Sequence, residues 1–253
     1  MDGPTARTNA DRRALVEQIQ NRLLTAYGDD VRAIGLHGST ARGDDGPYSD
    51  IEMICAVTGS TVDHRYEWST GEWKAEVNVR SQDVLEQKAK TVDVDWPMTH
   101  GKYLDMEPRY DPEHLFEHLR ELAASQSDDA FHQAIKDSVV GEQYELMGKL
   151  RNANHRGERA HLPTLAVELA KHAACMVALA HRKTFNRATS AFPEALGLAH
   201  RPQGFDALCS LVMQGQLSNP EHVIDVCESY WSKLDEWLAR ISINAREELT
   251  IPI

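Results

Sequence analysis

Residues 31–57, VRAIGLHGSTARGDDGPYSDIEMICAV, decide how the N-terminal half of this chain folds. Two runs rich in apolar and β-branched residues, 31–36 and 50–57, flank a stretch rich in glycine, serine and aspartate. Apolar runs of this length that are bounded by turn-forming residues are typical of β-strands. The stretch therefore predicts two strands, with the turn Gly38-Ser39 directly after the first and an acidic pair on the second.

This turn and this acidic pair are suited to binding a nucleotide and a metal ion. A glycine-serine turn after a strand leaves backbone N–H groups free for phosphate oxygens, and Arg42 adds a planar guanidinium that pairs with phosphate. Asp50 and Glu52 are two residues apart, so their carboxylates project from one face of a strand. Two carboxylates suit Mg²⁺ that is also bound by substrate phosphates. Each feature is common alone, and their order and spacing make the combination specific.

The pattern of the sequence changes near the middle of the chain. Residues 65–68 and 72–79 predict a β-hairpin, and residues 81–90 and 113–124 predict helices. Beyond residue 127 the sequence predicts only helices, over 128–150, 163–181, 205–213 and 220–238. We therefore predict an α+β protein, with a mixed-sheet domain over residues 1–127 and a helical bundle domain over residues 128–253.

The net charge of the chain restricts the classes of molecule that it is expected to bind. The chain has 27 Lys and Arg residues against 39 Asp and Glu residues, which gives a formal net charge of −12. Residues 44–95 alone contain 12 acidic and five basic residues. A negative protein repels a phosphate backbone, so general nucleic-acid binding is disfavoured, whereas a cationic ligand is attracted. A solvated acidic surface is the alternative interpretation of this segment.

Cysteine usage and hydropathy indicate a cytoplasmic protein. None of the four cysteines forms a Cys-x-x-Cys pair, so the sequence does not support a zinc or thioredoxin-like site. Unpaired cysteines are typical of a reducing compartment. The N-terminal residues do not contain the apolar core of a signal peptide. The apolar run 173–180 is far shorter than the roughly 18 residues that span a membrane. We therefore expect no membrane partner.

The spacing from Gly38-Ser39 through ten residues to Asp50-x-Glu52 resembles the nucleotidyltransferase superfamily typified by DNA polymerase β. In that superfamily a third carboxylate comes from a neighbouring strand. Glu76 fits this position, because alternation along residues 72–79 places it on the polar face of the hairpin. A solvent-facing hairpin position is the alternative for Glu76.

Five longer stretches carry a closer resemblance. They are YGDDVRAIG (27–35), DGPYSDIEM (45–53), TGEWKAEVN (70–78), DWPMTHG (95–101) and VMQGQLS (212–218). Together they resemble aminoglycoside 4′-O-nucleotidyltransferases, the kanamycin nucleotidyltransferase family, over about residues 9–238. This resemblance implies transfer of AMP from Mg-ATP to the 4′-hydroxyl of an aminoglycoside antibiotic, with release of pyrophosphate.

The resemblance also implies a set of site residues. It places Asp50 and Glu52 on the Mg²⁺ positions and Glu145 on the position of the general base. The nucleotide-binding positions are Gly38, Ser39, Arg42 and Lys149. The positions that bind the cationic sugar are Glu67, Lys74, Glu76 and Glu142.

The family is homodimeric, so the resemblance implies an active site between subunits that is completed by the helical domain. The sequence departs from the family at Gly141, where the family has an acidic residue; Glu142 lies next to it. From the residues alone, Glu145 and Lys149 lie four apart on a helix, which is also the spacing of an ordinary surface ion pair.

Two other functions stay open from the residues. One is nucleotidyl transfer to a different acceptor, such as a protein side chain or another hydroxylated cation. The other is a binding module, a nucleotidyltransferase-like fold that pairs with a helical partner as in toxin–antitoxin systems. The intact acidic pair and the intact Gly38-Ser39 turn disfavour a module without catalytic activity.

Overall fold

The computed structural model describes residues 3–246, which divide into two compact units. The first unit contains the chain up to Thr91 together with Thr99–Gln126. The second contains Val92–Met98 and the chain from Ser127 onward. Val92–Met98 belongs with the second unit because Trp96 packs edge-on against Phe131, with 4.9 Å between ring centroids. A helical unit therefore follows a mixed α/β unit, which confirms the predicted α+β fold class.

A five-stranded mixed sheet forms the centre of the first unit, in the order β3-β4-β2-β1-β5. Strands β2 and β4 pair in parallel, and the other neighbouring strands pair antiparallel. The predicted strands and hairpin are confirmed, and β5 is an additional edge strand. The strands are β1 (Val31–His37), β2 (Ile51–Val57), β3 (Asp63–Ser69), β4 (Lys74–Ser81) and β5 (Glu107–Tyr110).

Helices cover both faces of this sheet and make up the second unit. Short 3₁₀ turns, Gly28–Asp30, Arg159–His161 and Ala188–Ser190, connect some of them. The α-helices are α1 (Asn9–Tyr27), α2 (Gly38–Arg42), α3 (Gln82–Lys90), α4 (Trp96–Thr99), α5 (Gly101–Leu104), α6 (Leu115–Ala124), α7 (Asp128–Asp137), α8 (Tyr144–Arg156), α9 (Leu162–Ala180), α10 (Ala191–Leu196), α11 (Phe205–Met213), α12 (Pro220–Ser232) and α13 (Leu234–Arg240).

Strands β1 and β2, at the centre of the sheet, are buried on both faces. Their sequences are apolar at nearly every position, as is usual for a strand that is covered on both sides. Val16 of α1 packs in the core on one face, and Leu85 of α3 and Leu119 of α6 pack in the core on the other. Apart from Arg32 near the start of β1, polar side chains on these strands are therefore confined to one end, where β1 ends and β2 begins.

Helix α9 is the core of the second unit. It is apolar over most of its surface, buries ten of its residues and leaves Glu168 and Lys171 exposed, as a central helix in a bundle can do. By length and composition, the segment Arg159–Ala180 could cross a membrane. However, 61% of its most apolar 18-residue stretch is buried inside the protein. The apolar composition of α9 is therefore explained by its packing within the second unit.

The predicted helix over residues 128–150 is interrupted. A π-helical turn, Ser138–Gln143, separates α7 from α8, and α8 extends to Arg156. The buried Gln143 ends this turn, and its side chain accepts a hydrogen bond from Tyr230 Oη at 2.5 Å and donates one to Ser138 Oγ at 3.2 Å. A regular helical pattern in the sequence does not signal such a turn, although π turns are frequent near functional sites.

Candidate functional site

The turn after β1 is built around a glycine that two constraints require. Gly38 has φ of +72°, a left-handed conformation that side chains disfavour. A Cβ atom at this residue would lie 2.0 Å from Oε2 of Glu52, so Gly38 also makes room for that carboxylate. The buried Thr40 donates from Oγ1 to the backbone oxygen of Asp50 at 3.4 Å. The turn and the start of β2 are thereby held together.

Three carboxylates lie side by side across the sheet. Glu52 on β2 is the register partner of Glu76 on β4, and Glu76 is the register partner of Glu67 on β3. Neighbouring strands are about 4.8 Å apart, so these three residues form a carboxylate row on one face. Like charges directly opposite each other destabilise a sheet. A row of this kind is therefore a feature that folding alone does not favour.

Asp50 lies directly before β2, which begins at Ile51, and its side chain is half-exposed. Its Oδ2 atom is 3.5 Å from Nζ of Lys74 on β4. The structure thus brings Asp50, Glu52 and Lys74 to the same end of the sheet. This position is beside the Gly38-Ser39 turn, as the spacing predicts.

Electrostatics at Glu52 favour a bound cation. Burial raises the pKa of Glu52, and the negative charges of Asp50 and Glu76 raise it further. Within residues 3–246 the structure contains no cluster of three or more side chains arranged as a metal site. Mg²⁺ is typically held by one or two carboxylates together with substrate phosphates. Asp50 and Glu52 fit that donor set, because a divalent ion would relieve the repulsion that both of them experience.

The other end of the carboxylate row carries protein cations. Arg65 on β3 lies 2.7 Å from Glu76 Oε2 and 3.1 Å from Glu67 Oε1, and Lys74 lies 2.9 Å from the same Glu67 oxygen. Burial would raise the pKa of Glu76, but hydrogen bonds from Arg65 and Asn78 outweigh it and lower this pKa overall. Sequence reasoning missed Arg65, because an arginine on an exposed strand carries no motif.

Two further basic residues lie near the row and were also missed. Burial lowers the pKa of His37, the register partner of Glu52, to about 3, so its ring is neutral. Burial and the charges of Arg80 and Lys88 lower the pKa of Lys102 to about 8. Both side chains become part of this region only through folding: His37 ends β1, and Lys102 lies on the four-residue helix α5.

The predicted phosphate-binding residue Arg42 ends α2, close to the turn. Its guanidinium lies 3.5 Å from Asp44 and 3.9 Å from Asp105. These are loose ion pairs that a phosphate group could replace with tighter, bidentate bonds. Ser39 lies in the first turn of α2, next to Gly38.

The remaining predicted residues lie in the helical unit. Glu145 Oε1 and Lys149 Nζ are 2.6 Å apart on α8, and both side chains are largely exposed. The hydrogen bond from Lys149 lowers the pKa of Glu145. Glu142 lies in the π turn, with its carboxylate 3.7 Å from Nε2 of His172. Within this unit, Glu145 and Lys149 form the ion pair that their spacing allows.

Comparison with known proteins identifies the family. The KNTase C-terminal domain family matches residues 113–244. Two relatives, each described as an aminoglycoside nucleotidyltransferase (4′), come from Staphylococcus aureus and a Bacillus species. Each is 40% identical to this chain over 240 residues, which is 95% of both sequences.

A solved structure supports the fold independently of close sequence similarity. It is a nucleotidyltransferase-like protein from Exiguobacterium sibiricum, 12% identical, with a TM-score of 0.53 over 89% of this chain and 79% of that one. At this identity the likeness concerns the fold alone. Taken with the two relatives, which match nearly the whole sequence, it leads to one conclusion. The chain belongs to the aminoglycoside 4′-nucleotidyltransferase family.

Proposed function

We propose that this protein transfers AMP from Mg-ATP to the 4′-hydroxyl of aminoglycoside antibiotics, releases pyrophosphate and thereby confers resistance. The observation that carries the proposal is the carboxylate row beside the Gly38-Ser39 turn, in a chain of this family. An aminoglycoside carries several ammonium groups, and a row of carboxylates attracts and orients such a polycation. The same row would repel a nucleic-acid backbone.

The nucleotide is proposed to bind at the turn. Backbone N–H groups near Gly38, the Ser39 hydroxyl and the guanidinium of Arg42 would hold the triphosphate, together with Lys149. Asp50 and Glu52 would hold Mg²⁺, which when bound neutralises charge on the phosphates. Burial raises the pKa of Glu52 and the negative charges of Asp50 and Glu76 raise it further, and this supports the assignment because a bound cation would stabilise the ionised carboxylate.

Glu145 is proposed as the general base. Glu145 is an exposed carboxylate whose pKa is lowered by the hydrogen bond from Lys149, so at neutral pH it is ionised, the form that accepts a proton. The acceptor hydroxyl would lose its proton to Glu145, and its oxygen would form a bond to the α-phosphorus of ATP. The bond from that phosphorus to the bridging oxygen breaks, and pyrophosphate leaves. No covalent enzyme intermediate is required.

The acceptor is proposed to bind along the rest of the row. Glu67 and Glu76 would accept hydrogen bonds from its ammonium groups, with Lys74 and Glu142 beside it.

We further propose a homodimer in which the helical domain, residues 128–253, completes the active site of the partner's first domain, residues 1–127. Exposed apolar side chains next to Glu145 support a covered surface there: Val140 is 51% and Tyr144 is 69% exposed. None of the four cysteines is paired in a disulfide, and we propose a cytoplasmic enzyme.

An acceptor screen tests the proposal. The purified protein is incubated with ATP and Mg²⁺, and pyrophosphate release is measured with kanamycin, tobramycin or amikacin and without an acceptor. We expect release that depends on the antibiotic. Release that requires a different acceptor would instead identify a nucleotidyltransferase of another specificity. A copurifying partner chain without any release would identify a binding module.

A further inference from the structure

Two cations of the protein already occupy the carboxylate row. Nη2 of Arg65 bridges Glu67 Oε1, at 3.1 Å, and Glu76 Oε2, at 2.7 Å. Nζ of Lys74 bridges the same Glu67 oxygen, at 2.9 Å, and Asp50 Oδ2, at 3.5 Å. Charges along this face therefore alternate in sign from Asp50 to Glu76. Each bridging cation lies where an ammonium group of a ligand would find two carboxylate oxygens.

The Arg65 bridge is placed so that a ligand can displace it. The Arg65 side chain is 55% exposed and that of Glu67 is 41% exposed, and ion pairs in solvent contribute little to stability. Glu76, in contrast, is only 16% exposed and also accepts a hydrogen bond from Asn78 at 2.8 Å. The carboxylate of Glu76 is thus fixed, whereas the long arginine that pairs with it lies on an exposed edge strand.

Arg65 and Lys74 differ in which part of the proposed site their ion pairs belong to. Lys74 also contacts Asp50, at the end of the row where we place the metal ion and the triphosphate. The ion pairs of Arg65 are with Glu67 and Glu76, the two carboxylates that we assign to the acceptor. A ligand ammonium that approached these carboxylates with Arg65 in place would be repelled by its like charge. Binding therefore requires that Arg65 swing away.

We propose that Arg65 is a resident counter-cation that occupies an ammonium position of the acceptor and so sets the affinity for polycationic substrates. This inference rests on the proposed function, because it assumes that the acceptor binds at Glu67 and Glu76. In the absence of substrate, Arg65 offsets part of the negative charge of the two carboxylates. It acts on binding of the acceptor, not on the transfer step.

The experiment compares Arg65→Gln with the wild-type enzyme in steady-state kinetics with kanamycin. We expect the KM for kanamycin to fall by about threefold or more, since an exposed ion pair no longer competes. The value of kcat should change by less than about twofold, and the KM for ATP should not change. Arg65→Lys, which retains the charge, should keep a KM close to that of the wild type.

Arg32→Gln is the matched control for net charge. Arg32 also lies on a strand of this sheet and pairs with an exposed glutamate, Glu113. It is five residues from His37, at the opposite end of β1, or about 16 Å away. Its loss lowers the net charge equally and should leave the KM for kanamycin unchanged. The salt dependence of that KM should steepen in Arg65→Gln only.

Other outcomes overturn the inference. An unchanged KM for kanamycin in Arg65→Gln would show that Arg65 does not compete with the acceptor. A raised KM for kanamycin would make Arg65 a direct contact to the antibiotic, and a raised KM for ATP would make it a phosphate ligand. Titration calorimetry with kanamycin alone checks the affinity without turnover. A wild-type enzyme that does not use or bind kanamycin would refute the proposed function itself, before the variant is compared.

Discussion

Gly38 and Glu52 are in such close contact that any side chain at residue 38 would force the Glu52 carboxylate to move. A Cβ atom at residue 38 would lie 2.0 Å from the Oε2 atom of Glu52, which is far inside van der Waals contact. The bend of the chain after β1 and the position of the Glu52 carboxylate therefore depend on each other. The proposed phosphate-binding turn and the proposed metal ligand form one structural unit.

Gly38→Ala should inactivate the enzyme by displacing Glu52. Gly43→Ala is the matched control, because Gly43 also has φ of +72° but its Cβ would meet nothing within 4 Å. Both variants should lose about 1–2 kcal/mol of stability from the left-handed backbone. Only Gly38→Ala should lose most of its pyrophosphate release. Thermal melting and the release assay measure the two effects. Equal activity in the two variants would contradict the account.

Glu52→Gln should stabilise the protein at neutral pH while it abolishes activity. The pKa of Glu52 is raised in the folded state, mainly by burial, so folding favours its protonated form. The free energy of unfolding therefore decreases as the pH rises from the ordinary value of 4.5 through the folded value. Glutamine carries no charge and so avoids this decrease in the free energy of unfolding. The melting temperature of Glu52→Gln, measured without Mg²⁺ at neutral pH, should therefore exceed that of the wild type. The difference should vanish below the ordinary pKa.

Glu76→Gln should behave in the opposite way. The pKa of Glu76 is lowered overall, so its ionised form contributes stability that is present above the ordinary pKa and is lost as the pH falls through the folded value. The variant should melt at a lower temperature than the wild type at neutral pH. The same sign of change in Glu52→Gln and Glu76→Gln would show that the two carboxylates have similar environments.

Glu145→Gln should lower kcat by about 100-fold or more, because a general base contributes on that scale. The affinity for ATP should be nearly unchanged. Glu168→Gln is the matched control, since Glu168 forms a similar exposed ion pair with Lys171, at 2.9 Å, in the same unit. Initial rates and nucleotide titrations measure both quantities. Near-wild-type turnover in Glu145→Gln would exclude this residue as the base.

A mixture of two inactive variants tests whether the active site is shared between subunits. Asp50→Asn should be inactive at ordinary Mg²⁺ concentrations, and so should Glu145→Gln. After the subunits exchange, a heterodimer has one site with both native residues, so an equal mixture should regain about a quarter of wild-type activity. Labelled subunits would report the exchange. Complete exchange without recovered activity would show that each chain supplies both residues to its own site.

The sequence predicts the fold well where periodicity and turns are strong. Residues 31–57 indicate two strands and a tight turn, and alternation along residues 72–79 places Glu76 on the polar face. The sequence does not reveal the cross-strand register that aligns Glu52, Glu76 and Glu67, because strand pairing is determined by the packing of the whole sheet. Arg65, His37 and Lys102 enter the region for the same reason. The π turn before Glu145 and the burial of Gln143 within it are indicated by no local pattern.

The position of the transferred AMP tests the central claim most directly. Kanamycin and a kanamycin-type antibiotic that lacks the 4′-hydroxyl are each incubated with the enzyme, ATP and Mg²⁺, and the products are examined by mass spectrometry and by phosphorus–proton correlation NMR. We expect one AMP on the 4′-oxygen of kanamycin and no product from the 4′-deoxy compound. AMP on another oxygen, or equal modification of both compounds, would contradict the account.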